Sequence, residues 1–119
     1  MRVQFSPRSV SDLEDIYDYI ARDNLERAGT FIEELQDKCA RIRDNPEAHA
    51  LRSDVAPDIR MAVHRAYVIL FRILPDEIRI ERVLHGARNI PTAWKRWLTR
   101  RVSPAEIRRP FRRIRNACG

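Results

Sequence analysis

Lysine is almost missing from this 119-residue chain: Lys38 and Lys95 are the only two, although lysine and arginine together number 23. Arginine therefore carries nearly all of the positive charge. Its planar fork suits two-point recognition of carboxylate or phosphate, which favours a recognition surface over plain solubilisation. Glycine is scarce too, with three residues, and the lone Gly86 gives no phosphate-cradling loop. Two cysteines, Cys39 on an apolar helical stripe and Cys118 near the end of the chain, supply neither a disulfide framework nor metal-ligand spacing. His49, His64 and His85 are dispersed without an Asp/Glu/Cys cluster, so no metal site is expected. No segment approaches the roughly 20 apolar residues of a membrane span, and Met1-Arg-Val-Gln-Phe-Ser lacks an apolar run of signal-peptide length. A soluble cytoplasmic protein without a cofactor is the expectation.

What is present is a modest apolar fraction, 44%, enough for one small domain and too little chain for a cofactor-binding enzyme with a second module. The net charge of +6 and a pI near 10.1 call for an acidic partner. Nucleic acid, an acidic protein and an anionic membrane surface all meet that requirement. The charge is also unevenly spread. Residues 12–37 hold nine acids against Arg22 and Arg27, whereas residues 79–115 hold twelve basic residues against Glu81 and Glu106. An acidic or phosphate-bearing partner should dock on the cationic half, unless acidic helix faces simply pair with arginines from strands.

Val3 and Phe5 alternate with polar neighbours and suggest a short strand running into a helix. Ser6 suits the cap and Pro7 the first helical position, where a missing N–H costs nothing. Val10, Leu13, Ile16, Tyr17 and Ile20 then recur at three- and four-residue steps, with Asp12, Glu14, Asp15 and Asp18 on the other faces, to about Arg22. Asn24 can cap a second helix, in which Leu25, Ala28, Ile32, Leu35, Cys39 and Ile42 form a regular seam ending before Pro46. The two should pack as a helical hairpin on a sheet. Residues 46–57 read as a loop. Beyond it Ile59, Met61 and Val63 alternate with Arg60, Ala62 and His64, the pattern of a half-buried strand with one wet face.

Tyr67 to Leu74 is apolar on both faces apart from Arg72 and should be the central strand. Ile78 to Leu84 pairs with it through a Pro75-Asp76 turn. Trp94, Trp97 and Leu98 suggest a short helix, and Arg100 to Arg115, interrupted by Pro104 and Pro110, a peripheral basic tail. The order predicts an α+β fold of two layers: an N-terminal strand, an α-helical hairpin, a three-stranded antiparallel meander and a short C-terminal helix. The domain is expected to span residues 1–98 and the tail residues 99–119.

The hairpin ends in Arg82, His85 and Arg88. Flanking cations disfavour protonation of His85, and a neutral imidazole can serve as a general base. A second reading gives His85 a hydrogen bond that fixes the strand end, with Gly86 turning the chain.

Ser6-Pro7, the run from Asp12 to Ile20, Ala28 to Leu35, Tyr67-Val-Ile-Leu-Phe-Arg72 and Arg82-Val-Leu-His-Gly-Ala-Arg88 together resemble the ParE branch of the ParE/RelE toxin superfamily, over residues 1 to about 90. The helix pattern is weakly specific, whereas the Arg82–Arg88 segment behind such a hairpin is strongly so. Asn89 stands where the pattern usually has aspartate, and the chain beyond Leu98 is longer than the family norm. The resemblance implies a plasmid- or chromosome-encoded toxin that poisons DNA gyrase and is held inactive by a ParD-type antitoxin. Arg72, Arg82, His85, Arg88, Trp94 and Trp97 are the candidate contacts for antitoxin or target, and the basic C-terminal region is a candidate for DNA contact.

RelE-like relatives, which cut messenger RNA on the ribosome, are the alternative, and a degenerate non-toxic binding protein is a third. Ribose-directed cleavage needs a group to activate the 2′-hydroxyl, cations for the developing charge and a proton donor for the leaving oxygen. Val68 stands where such nucleases tend to carry an arginine, and no tyrosine follows Tyr67. His85 would have to work alone. The expectation is a toxin that acts by binding and has no catalytic residues.

Overall fold

Ser6 joins the first strand to the first helix and ties both to the far end of the sheet. In the computed structural model, which describes residues 2–87 and 89–98 with side chains as far as Trp94, β1 covers Arg2–Phe5 and α1 Pro7–Ala21. The Ser6 hydroxyl accepts from the Ser9 amide at 3.0 Å and donates to the Glu81 carbonyl at 2.8 Å. One side chain thus caps the helix and pins its start to a strand 75 residues later. The chain reverses after Ala21, and Asn24, accepting from the Arg27 amide at 3.0 Å, caps α2 (Leu25–Ile42). Both helices start where capping chemistry predicts.

After a single 3-10 turn at Pro46–Ala48 come β2 (Ala50–Leu51), β3 (Arg60–His64), β4 (Tyr67–Ile73), β5 (Glu77–His85) and α3 (Ile90–Leu98). The strands form one mixed sheet in the order β1-β5-β4-β3-β2. β1 runs parallel to β5, and the other pairs are antiparallel. β4 is central, as its two apolar faces require. The Pro75-Asp76 turn closes with the Leu74 amide donating to the Glu77 carbonyl at 2.8 Å. Within the predicted 46–57 loop, β2 pairs Ala50 with Met61 and Leu51 with Arg60. Two residues are too short for a periodicity to register.

The main core lies between the helical hairpin and one sheet face, where Leu13, Ile32, Leu35 and Cys39 meet Ile69, Phe71, Ile78 and Ile80. Full burial of such side chains contributes about 1.5–3 kcal/mol each. A smaller core on the other face joins Ile59, Val68, Leu70 and Leu84 to Ile90, Ala93 and Trp94 of α3. The fold class is the α+β one expected, with α3 adding a partial cover to the second face. That cover reverses the reading of β3. Ala62 faces the helices, Ile59 and Met61 belong to the α3 side, and Val63 is 52% exposed.

The β4–β5 register slips by one residue: Leu70 lies opposite Arg82 and Phe71 opposite Ile80, leaving Glu81 as the extra residue of a bulge. Ile78, Ile80 and Val83 can therefore all face the helices despite the odd spacing of the last pair.

Candidate partner-binding site

β1 ends at Phe5, so beyond Ile80 the outer edge of β5 has no strand beside it among the described residues. The Ser6 amide donates to the Ile80 carbonyl at 2.9 Å, and the Ser6 hydroxyl takes the Glu81 carbonyl. Asp12 of α1 serves the next stretch of that edge. Its Oδ2 accepts from the Val83 amide at 3.0 Å and from Arg82 Nε at 2.8 Å, while Oδ1 accepts from Arg82 at 3.0 Å. Arg82 also donates to the Ala93 carbonyl of α3 at 3.3 Å. One buried ion pair thus fastens α1, β5 and α3 together. Burial raises the Asp12 carboxyl above the usual carboxylate range, against the opposing pull of Arg82 and the Val83 amide.

Arg82, expected among the contacts, is 2% exposed and occupied internally, so it forms no part of an open cationic face. Trp94, also expected among the contacts, is 4% exposed and packs from α3 against the sheet. Periodicity also put Asp12 and Glu14 on outward faces of α1, whereas both are buried. A helical repeat locates a residue around the axis but does not reveal a strand edge waiting for a carboxylate. The broken alternation Ile80-Glu81-Arg82-Val83 was the available signal, because two adjacent charges inside an apolar strand mark a bulge.

Arg72 stays half-buried, donating to both oxygens of Asp58 at 2.6 and 2.7 Å and to Glu81 at 2.8 Å. Burial works against its charge, and the two carboxylates more than offset that. His85 is exposed; its Nδ1 accepts from the Ala87 amide at 3.1 Å, the geometry of the hydrogen-bonding reading. Gly86 follows, its amide donating to the Ala66 carbonyl at 2.7 Å. A Cβ on Gly86 would stand 3.2 Å from that oxygen, so a residue without one suits this close approach. Arg88, the Trp97 side chain and residues 99–119 lie outside the described residues.

The structure gathers a different set around His85. Its ring meets the Tyr67 ring edge-on with centroids 5.3 Å apart. Tyr67 contacts Phe31 at 5.5 Å, and Phe31 contacts His64 at 5.7 Å. Arg27 lies over the Phe31 ring, 5.1 Å from its centroid. Glu34 organises the cations: it accepts from Arg27 at 2.7 Å and Arg65 at 3.3 Å, with His64 Nε2 at 3.2 Å. Those contacts, led by the Arg27 hydrogen bond, hold its carboxyl down at about 2. Burial pushes the Tyr67 phenol above its usual value. The pairings Asp12–Arg82 and Glu34–Arg65 are cases of acidic helix residues meeting strand and turn arginines, the alternative to partner docking raised by the charge pattern.

Sequence reasoning missed this cluster because Phe31 and Glu34 on α2, Arg65 and Tyr67 at the β3–β4 turn and His85 at the end of β5 belong to three separate stretches of chain, and no shared periodicity links them. Among the described residues no group of His, Cys, Asp and Glu side chains is arranged to hold a metal ion. No helix there is long and apolar enough to cross a membrane.

Compared with known families, residues 3–90 match the one described as ParE toxin of type II toxin-antitoxin system, parDE. The chain belongs to the ParE toxin family. No curated protein matches it. Among solved structures it is similar to one titled "Chromosomal ParDE TA system from P. aeruginosa", with a TM-score of 0.64 and 22% identity over 71% of this chain and 95% of that one. At that identity the likeness speaks for the fold alone. As a ParE toxin the chain is one component of a type II toxin-antitoxin system, and such a system implies a ParD-type antitoxin as its partner.

Proposed function

We propose that this ParE toxin acts by binding and poisoning DNA gyrase, with no bond broken by its own side chains. The observation that carries the binding half of this reading is the burial of Val68. RelE-like nucleases tend to have an arginine there; here the position lies in the apolar cluster with Leu70, Leu84, Ile90 and Trp94, closed over by α3. Two arginines of the hairpin also point away from phosphate chemistry, since Arg82 is engaged by Asp12 and Arg72 by Asp58 and Glu81. His85 holds the Ala87 amide on one ring nitrogen and meets Tyr67 with its ring, which leaves it without a partner acid or base among the described residues.

The gyrase half rests on family membership and the basic C-terminal region. With Arg82 and Trp94 inside the fold, Arg88, Trp97 and the arginines beyond Leu98 remain the candidate contacts to an acidic gyrase surface or to gyrase-bound DNA. Unopposed expression tests the reading. Cells should filament, induce the DNA-damage response and stop replicating while translation continues at first. Early arrest of translation with messages cut at the ribosomal A site, abolished by His85→Ala, would refute it in favour of a nuclease.

A further inference from the structure

Where the α1–α2 turn meets the open end of β4 and β5, a groove of about 590 Å3 remains unfilled. Its walls include the rings of Tyr19, Phe31, Tyr67 and His85 and the cations Arg27 and Arg65. Tyr19 is 66% exposed at its mouth, although α1 otherwise turns its large apolar residues inward. Tyrosine and arginine around an apolar floor are the residues that dominate protein interfaces, being large, stiff and able to bond at their tips.

Arg65 sits in the left-handed region at φ 53°, in the two-residue turn between β3 and β4. Glycine or asparagine normally occupies such a position, and a bulky arginine there holds the backbone in a strained state. Strain of this kind persists where the side chain has a use. Arg65 gives its Nε–H to Glu34, and with 63% of the side chain exposed its forked end faces solvent at the rim of the groove.

Charge selects the occupant. Among the described residues no carboxylate lines the groove, so its two arginines can take one more acidic group beside the Glu34 that orients them. A polyanion fits poorly, because the helical hairpin exposes Asp18, Asp23 and Glu26 against Arg22 around its turn, and that acidic excess would repel a continuous phosphate backbone. A peptide can instead place a single carboxylate at the arginines and an apolar side chain on the rings. We propose that the groove receives a segment of the ParD-type antitoxin, an apolar or aromatic anchor seated on Tyr67 and Phe31 with a neighbouring carboxylate on Arg65 and Arg27. This deepens the toxin reading and rests on the antitoxin partnership it implies.

The test measures the affinity of purified full-length ParD-type antitoxin for the wild-type chain, Arg65→Gly and Tyr19→Ala, alongside the urea midpoint of each. Both variants are expected to bind at least tenfold more weakly. The midpoint should hold or rise for Arg65→Gly, which relieves the turn, and stay unchanged for Tyr19→Ala. Weaker binding without lost stability is what a merely structural role would not produce. Wild-type binding that both variants retain overturns the groove and leaves the partnership standing. Failure of the wild-type chain to bind overturns the partnership and the groove together. A single-stranded oligonucleotide that competes with the antitoxin and loses its hold in Arg65→Gly would assign the groove to nucleic acid and also overturn the proposal.

Discussion

At Asp12 and Arg82 the chain buries two opposite charges, and removing either strands the other out of water. Breaking such a pair costs about 3–5 kcal/mol, and here Asp12 also accepts from the Val83 amide, on the stretch of β5 that β1 does not reach. Arg82→Ala should therefore lower unfolding free energy by about that much in urea titration; a loss below about 1 kcal/mol would mean that the clasp adds little. Toxicity of this variant should fall in step with the folded fraction, since the guanidinium faces inward.

Glu34 gives a prediction in pH. Its folded pKa, about 2, lies below the ordinary 4.5, so its interactions stabilise the fold in full above about 4.5 and fade as the pH falls toward 2. The urea midpoints of wild type and Glu34→Gln should differ at pH 7 and converge on acidification through that window. A gap that stays constant down to pH 2 would contradict the assignment. At this scale the sequence showed the right residue types without their roles. Arg82 and Trp94 read as contacts because in sequence a charge or an indole looks the same whether it faces water or the interior.

Elements were far more legible than partners. Ser6-Pro7 and Asn24 announced both helix starts, and the double-sided apolar run of β4 announced its central place. Short or irregular features were hidden: β2 has two residues, and the bulge at Glu81 moves one register without changing composition. The larger gap was the second core. Amphipathic patterning of β3 suggested one buried face because nothing in the pattern said that α3 returns to cover the other. Trp94→Ala tests that cover. Truncating a buried tryptophan costs about 3–5 kcal/mol, and the midpoint should drop accordingly, whereas an exposed tryptophan would leave it almost unchanged. Ser6→Ala should cost about 1–2 kcal/mol by the loss of a helix cap, with the bond to Glu81 placing it at the upper end of that range.

Over the whole molecule, acids gather in the helical hairpin and basic residues in the last third of the chain. Some of that separation is consumed internally, by Asp12 with Arg82 and Glu34 with Arg65. The basic excess falls mainly beyond Leu98, where seven arginines stand against Glu106, so the tail is proposed as a contact region separate from the domain. Deleting residues 100–119 should leave a single cooperative unfolding transition, since the described members of both cores lie within residues 3–94; loss of cooperativity would place the tail in the fold.

The central claim is that the protein poisons gyrase by binding. Purified toxin incubated with DNA gyrase, supercoiled plasmid and ATP is predicted to increase cleaved plasmid in proportion to toxin, and to do so less with Arg88→Glu and not at all once the ParD-type antitoxin is added. Folded toxin that neither inhibits supercoiling nor raises the cleaved fraction would contradict the account.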